Sequence, residues 1–335
     1  METSRHLSRA KIAAMGEAVA AGRSPGATKT WIGRAAAAAL GLVLLVATVA
    51  KALDPQAFAE MLQGQGLTLG LPPLVAALLA LALEGGLGLL LLLGVRRPWS
   101  LVAATLLVVT FVVLNGWDWW RAAHGAAMPA GCGCFGNLVQ RSPAAAFWQD
   151  LALLLSLLLL ARVGLPPRAA SLPPRRLAAV GVGAAALVLL AWRAPELPLD
   201  DVATRLRPGI EVAKVCAGTT PRVCLTTVAP DLVRGRTWVT LVDLEDAAHW
   251  ADALNRFSSQ SGNPPVLALA AASPADVSAF TWQWGPSFPL HDAPAALLRP
   301  LYRRLPRSFL VEDGRVVRTL SGLPAADASR GEPTR

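Results

Sequence analysis

Five long apolar stretches, separated by more polar segments, lie between about residues 31 and 195. They run from about Trp31 to Ala50, Leu71 to Leu93, Leu101 to Leu114, Ala144 to Ala161 and Leu177 to Trp192. Crossing a hydrocarbon core of about 30 Å takes roughly 20 apolar residues in a helix. Each run reaches that length or leans on its flanks to do so, which predicts five membrane-spanning helices. Few charges interrupt them: Arg34 lies at the start of the first, Lys51 at its end, and Glu84 inside the second.

Beyond Pro195 the pattern changes to that of a domain of ordinary size. Val212–Val215 and Val223–Thr227 read as short strands around the turn Ala217-Gly218-Thr219-Thr220-Pro221. Trp238–Val242 and Pro265–Ala271 read as buried strands, alternating with helices over Ala247–Phe257 and Pro274–Trp282. A short helix is expected over Pro294–Arg299, with Pro294 at its first position. Ser308–Val311 and Val316–Leu320 flank the turn Glu312-Asp313-Gly314 and predict a hairpin. Alternating elements followed by a hairpin predict an α/β sandwich with a mixed sheet.

Composition supports insertion in a membrane. Only 16% of residues are charged, where a soluble domain carries about a quarter. The net charge is +9, but the excess Lys and Arg flank the apolar runs, which argues for membrane orientation and against nucleic acid as a partner. The polar stretch 1–30, the Arg96/Arg97 turn and the Arg162–Arg176 turn are basic; the segments with Asp54, Glu60 and Asp118 are not. Placing the basic segments inside predicts a cytoplasmic N-terminus and an extracytoplasmic C-terminal domain. In a bacterium that means a multi-pass protein of the inner membrane facing an oxidising periplasm. Trp117, Trp119 and Trp120 suit the interface, and Asp118 among them reads as a solvated acid.

Chemistry enters with the cysteines, four in all. Cys132 and Cys134 lie in Gly131-Cys132-Gly133-Cys134-Phe135-Gly136, between the third and fourth runs. A ring closed over one residue is strained and therefore labile, so the pair reads as a catalytic disulfide; inert thiols and half of a metal site are the alternatives. A metal needs further ligands, and neither a His-x-x-x-His nor a second close Cys pair lies nearby, so no metal site is assigned. Cys216 and Cys224 on neighbouring strands would face each other, as a structural disulfide or as a relay to the first pair. Glu84 is costly inside an apolar run, which marks a bundle-facing functional role. Lys51 either partners it or snorkels to the interface. Asp150, near the start of the fourth helix, is read as a cap or a proton relay.

Two resemblances sharpen this reading. The stretch from Lys51 to about Leu160 resembles the MauE/DoxX-like family of redox-associated membrane proteins. It carries Lys51-Ala-Leu-Asp54-Pro55-Gln-Ala-Phe58, then Glu84-Gly85-Gly86-Leu87-Gly88, then Cys132-Gly-Cys134-Phe135-Gly136. The resemblance implies a four-helix core associated with disulfide handling, as in maturation of the disulfide-rich small subunit of methylamine dehydrogenase. The C-terminal domain looks like a thioredoxin fold, through Leu305-Pro306-Arg307-Ser308-Phe309-Leu310-Val311 and Asp313-Gly314. That likeness makes Pro306 the cis-proline and places Ala247-Ala248-His249-Trp250 where Cys-x-x-Cys would stand, so the usual dithiol mechanism is excluded for this domain. The implied division is a tail over 1–30, a four-helix membrane domain over 31–165, a cytoplasmic turn and fifth helix over 166–195, and a periplasmic thioredoxin-like domain over 196–335.

The function expected from these residues is that of a membrane-embedded thiol–disulfide redox factor supporting maturation of an extracytoplasmic client protein, with catalysis as an oxidoreductase left open. Cys132 and Cys134 would share the attacking and resolving roles, with a thioredoxin-like protein as a further redox partner. No cofactor is evident; a quinone enters only by analogy with membrane oxidases of the DsbB type. A non-catalytic tethering factor is the competing reading. Delivery of a soft metal ion finds no Met-rich or His-rich segment, and transport finds no repeat or broken-helix pair.

Overall fold

The computed structural model describes residues 25–124, 142–163, 173–218 and 222–325. Six helices come first: α1 Pro25–Ala52, α2 Pro55–Gly64, α3 Pro73–Leu92, α4 Pro98–Ala123, α5 Pro143–Ala161 and α6 Pro174–Arg193. All six begin at a proline. The first residue of a helix has no partner for its N–H, and proline has none to leave unpaired. Among the described residues, five helices are long and apolar enough to cross a bilayer: Thr28–Ala52, Pro73–Leu92, Pro98–Ala123, Pro143–Ala161 and Pro174–Glu196.

Two differences from the sequence reading stand out here. α2 was not expected; its apolar positions Pro55, Phe58, Ala59 and Leu62 follow helical spacing and are buried. α4 continues through the tryptophans to Ala123, so its 26 residues span about 39 Å.

The chain divides into two compact units. One comprises the chain up to Thr48 with Leu81–Leu114 and Phe147–Leu187. Its core is Ala37, Leu40, Leu44, Leu87, Leu91, Ala104, Val108, Leu154 and Leu158, among others. Leu42, Val46, Leu83, Leu106, Val109 and Leu159 are exposed large apolar side chains on the same helices. Such a surface is stable against lipid tails and not against water. Arg96, in the turn between α3 and α4, is buried. Its guanidinium donates to the carbonyls of Ala161, Val163 and Thr30, closing the end of α5.

The other unit comprises Val49–Ala80, Asn115–Ala146 and Val188–Arg335. After α6 come a 3-10 turn at Ala194–Glu196 and the short helix α7, Asp200–Ala203. A small ladder pairs β1, Cys216–Ala217, with β2, Val223–Cys224. The main sheet contains β3 Arg236–Val242, β4 Val266–Ala270, β5 Leu290–Asp292, β6 Arg307–Glu312 and β7 Arg315–Ser321. Its order is β5-β4-β3-β6-β7; β3, β4 and β5 are parallel and β6 and β7 antiparallel to their neighbours. Alternate side chains leave its two faces. Val239, Leu241, Leu267, Leu269, Phe309 and Val311 build one core with Leu206, Leu225 and Leu297. Trp238, Val242, Ala268, Ala270 and Leu310 build the other, against Trp250, Leu254, Phe257 and Phe280 of α9, Ala247–Ser259, and α10, Pro274–Trp284. α10 starts with a capping box between Ser273 and Asp276.

Several local expectations are corrected. Val212–Lys214 is a 3-10 turn rather than a strand, and Leu225–Val228 is a helical turn, α8. The apolar residues of both segments pack into the first core, which outweighs their preference for extended backbone. Pro294 is the N-cap and not the first residue of α11, Ala295–Leu298. β5 was not expected, being three residues long.

Candidate functional site

Cys216 and Cys224 are register partners in the β1–β2 ladder. They form a disulfide, with S–S 2.02 Å and Cα–Cα 3.9 Å. Cys216 is buried, and its neighbours Val215, Ala217 and Leu225 belong to the core on the first face of the sheet. The bridge therefore fixes this short ladder to the domain core.

The C-terminal ends of β3 and β4 open into a cleft of about 420 Å³. Its walls include Leu244, Phe280, Trp284, Leu298, Tyr302 and Leu305, with the carboxylates of Asp243, Glu245 and Asp276 among its lining. Ligands of parallel α/β sheets enter at this end of the strands. The Leu305–Pro306 peptide is cis. The connection from β3 to α9 is Asp243-Leu244-Glu245-Asp246 and contains no sulfur. His249, in the first turn of α9, is exposed and contacts the Asp246 carboxylate, so the cleft has carboxylates and aromatic rings but no thiol.

Three arginines at intervals of four, Arg299, Arg303 and Arg307, are buried; the first two alternate along the chain with Leu298, Tyr302 and Leu305, which line the cleft. Arg299 donates from Nε to Glu60 at 2.9 Å and places Nη1 3.6 Å from Asp54. Arg303 donates to the carbonyls of Ala194 and Leu197. Arg307 donates to Thr204, Leu301, Leu206 and Asp201. Burial pushes the Asp54 carboxyl above its ordinary value, while Arg299 and the Ala57 amide pull it back down. Burial opposes the charge on Arg299, and Asp54 and Glu60 more than compensate, so its pKa ends raised. Tyr302 is raised by burial, against the pull of Arg299. Sequence reasoning missed all three arginines; their i, i+4 spacing was visible, but a basic run is ordinarily a solvated face.

Four ionisable residues of the membrane helices, Lys51, Glu84, Asp118 and Asp150, are buried, which corrects three expectations. Lys51 does not snorkel: it is buried, with Nζ 5.2 Å from the Phe58 ring centroid. Asp118 is not solvated: it is buried and accepts from Gln65 Nε2 at 3.3 Å. Asp150 is buried and lies roughly two turns into α5, past the first turn where an acid caps a helix. Glu84 is buried in α3, and the glycines after it explain its motif. A β-carbon on Gly85 would sit 2.6 Å from Leu187 Cδ1 of α6 and 3.1 Å from Thr48 Cγ2 of α1, and one on Gly88 3.0 Å from the Gly41 carbonyl. Gly88 lets α3 approach α1, and Gly85 makes room for both α1 and α6.

Cys132 and Cys134 lie outside the described residues. Among the described residues, no group of His, Cys, Asp and Glu could hold a metal ion.

Five apolar helices and a Gly-rich α3 define the kind of membrane region to which this chain is comparable. Residues 29–165 match the family model of the methylamine utilisation protein MauE. The MauE match covers α1 to α5 and takes in Cys132 and Cys134, while α6 and the α/β domain lie beyond it. With its five membrane-length helices and MauE-like region, the chain is a multi-pass membrane protein. A search among curated proteins returned no match.

Proposed function

We propose that the protein is a membrane-embedded thiol–disulfide factor of methylamine utilisation, supporting disulfide formation or handling in an extracytoplasmic client. The observation that carries this reading is the MauE match over residues 29–165, because it encloses Cys132-Gly133-Cys134. In the proposed step a client thiolate attacks one sulfur of the oxidised Cys132–Cys134 pair, giving a mixed disulfide and releasing the other cysteine as thiolate. The second client thiolate then displaces the bound cysteine. The client leaves with a disulfide, and the pair holds two electrons for a membrane-soluble two-electron acceptor.

The α/β domain reads as a thioredoxin-like module without its dithiol, on two grounds: its strand order and the cleft at the C-terminal ends of β3 and β4. Its part is to hold the client. The Cys216–Cys224 bridge suits an oxidising compartment, in accord with a periplasmic placement. The test is client maturation in Cys132→Ser and Cys134→Ser cells: each variant accumulates in the membrane and leaves the client unoxidised. The sulfur-free β3–α9 connection favours a second reading, a non-catalytic tether. Normal client oxidation in both variants would select it.

A further inference from the structure

α2 follows α1 after a two-residue turn at Leu53-Asp54. Asp54 divides its two oxygens between separate tasks. Oδ1 caps α2 by accepting from the Ala57 amide at 3.1 Å, and Oδ2 faces Arg299 Nη1 at 3.6 Å. Glu60, one turn further, has a side chain 62% exposed, yet it takes a hydrogen bond from Arg299 Nε at 2.9 Å. Arg299 itself is fixed by its own segment: Nη1 donates to the Tyr302 carbonyl, and the guanidinium lies 5.1 Å from the Tyr302 ring centroid. Its side chain is 10% exposed.

A guanidinium does not lose its charge in a protein, so one this deeply buried requires its acids to be in place. Removing one member of such a group leaves an uncompensated buried charge and is strongly destabilising, even where the group adds little net stability. Buried pairs of this kind select geometry. Four residues on, Arg303 makes a second attachment, to the carbonyls of Ala194 and Leu197 where α6 ends.

We infer that α2 is a docking surface whose occupant is the C-terminal domain of the same chain, with Arg299 as the residue that positions it. The domain is seated on the helix that follows the first span and does not hang from α6 alone. The segment that Arg299 anchors also supplies Leu298, Tyr302 and Leu305 to the cleft. Anything held in the cleft is thereby presented at a constant place relative to α2. Fixing a binding module in this way raises the effective concentration of what it holds without any new contact. The inference stands on these contacts and does not need the redox reading.

The test is amide hydrogen exchange on the full chain in lipid nanodiscs, in a double-mutant cycle of Glu60→Arg and Arg299→Met. Glu60 is exposed and is not the α2 cap, so Glu60→Arg sets a like charge against Arg299 without disturbing a core. It is expected to speed exchange about tenfold or more in both 55–64 and 294–306. In the Arg299→Met background the added Glu60→Arg change should have little further effect, within about twofold. The amides of β3 and β4 report whether the domain is folded; should Arg299→Met lose their protection, Glu60→Arg alone decides. Unchanged exchange in 294–306 on Glu60→Arg overturns the inference, as does an undiminished effect of Glu60→Arg in folded Arg299→Met protein.

Discussion

The carbonyl oxygen of Gly88 lies where a side chain on Gly41 would have to go: a β-carbon there would stand 2.6 Å from it. α1 and α3 meet backbone to backbone at this point, and the obstacle is main chain, which has little room to shift. Gly181, in α6, is a contrasting case: a β-carbon added there would meet nothing within 4 Å.

Gly41→Ala is therefore expected to destabilise the detergent-solubilised protein by about 1–3 kcal/mol through overpacking. Gly181→Ala should be neutral or stabilising by up to about 1 kcal/mol, since alanine is the better helix former. Paired thermal unfolding of the two variants checks this, and equal melting temperatures would refute it.

Arg96 closes the end of α5 with donors that one side chain spreads over the carbonyls of Ala161, Val163 and Thr30. Arg96→Met should cost about 2–4 kcal/mol, the loss of several charge-assisted hydrogen bonds. Arg96→Lys should recover less than half, because an ammonium lacks the planar fork. An unchanged melting temperature in Arg96→Met would contradict this role.

How much of this was legible in the sequence depends on whether the cause was local. Apolar runs of bilayer length announce the spans, and uninterrupted apolar strands such as Val266–Ala270 announce a parallel sheet core. Residues whose roles are set across the chain were not legible. Arg96 looks like a topology signal in a basic turn, and its burial depends on the end of α5. Asp118 sits among tryptophans that suggest an interface, but Gln65 reaches it from the chain after α2. Leu225-Thr-Thr-Val228 has the composition of a strand and forms a helical turn because Leu225 is drawn into the core.

The Cys216–Cys224 bridge joins positions eight apart in the sequence. Loop-closure entropy sets its contribution at about 2–3 kcal/mol. Cys224→Ser should lower the stability of the C-terminal domain by that amount, and reductant should do the same to wild type but nothing to the variant. A variant that still responds to reductant would show that the effect arises at the other cysteines.

Asp54 gives a pH dependence whose sign follows from its raised value. Its carboxyl holds a proton in the folded protein over a window that starts at the ordinary value of 3.8 and ends at the raised value. The associated stability is fully present below that window and is lost as pH rises through it. Asp54→Asn keeps a good N-cap and cannot ionise. The melting temperature of Asp54→Asn relative to wild type should thus increase as pH rises through the window. A difference independent of pH, or one that falls, would contradict the assignment.

The most direct test of the proposed function is the redox state of the four cysteines in intact membranes, read by acid quench and mass-tagged alkylation. The account predicts that Cys132 and Cys134 cycle between thiol and disulfide when oxidant or reductant is added. It also predicts that, with a serine at one of them, the remaining cysteine thiolate attacks the disulfide of an oxidised client and stays in the mixed disulfide as the other client thiol leaves, while Cys216–Cys224 stays oxidised. Cys132 and Cys134 that remain reduced and unreactive under both conditions would contradict it.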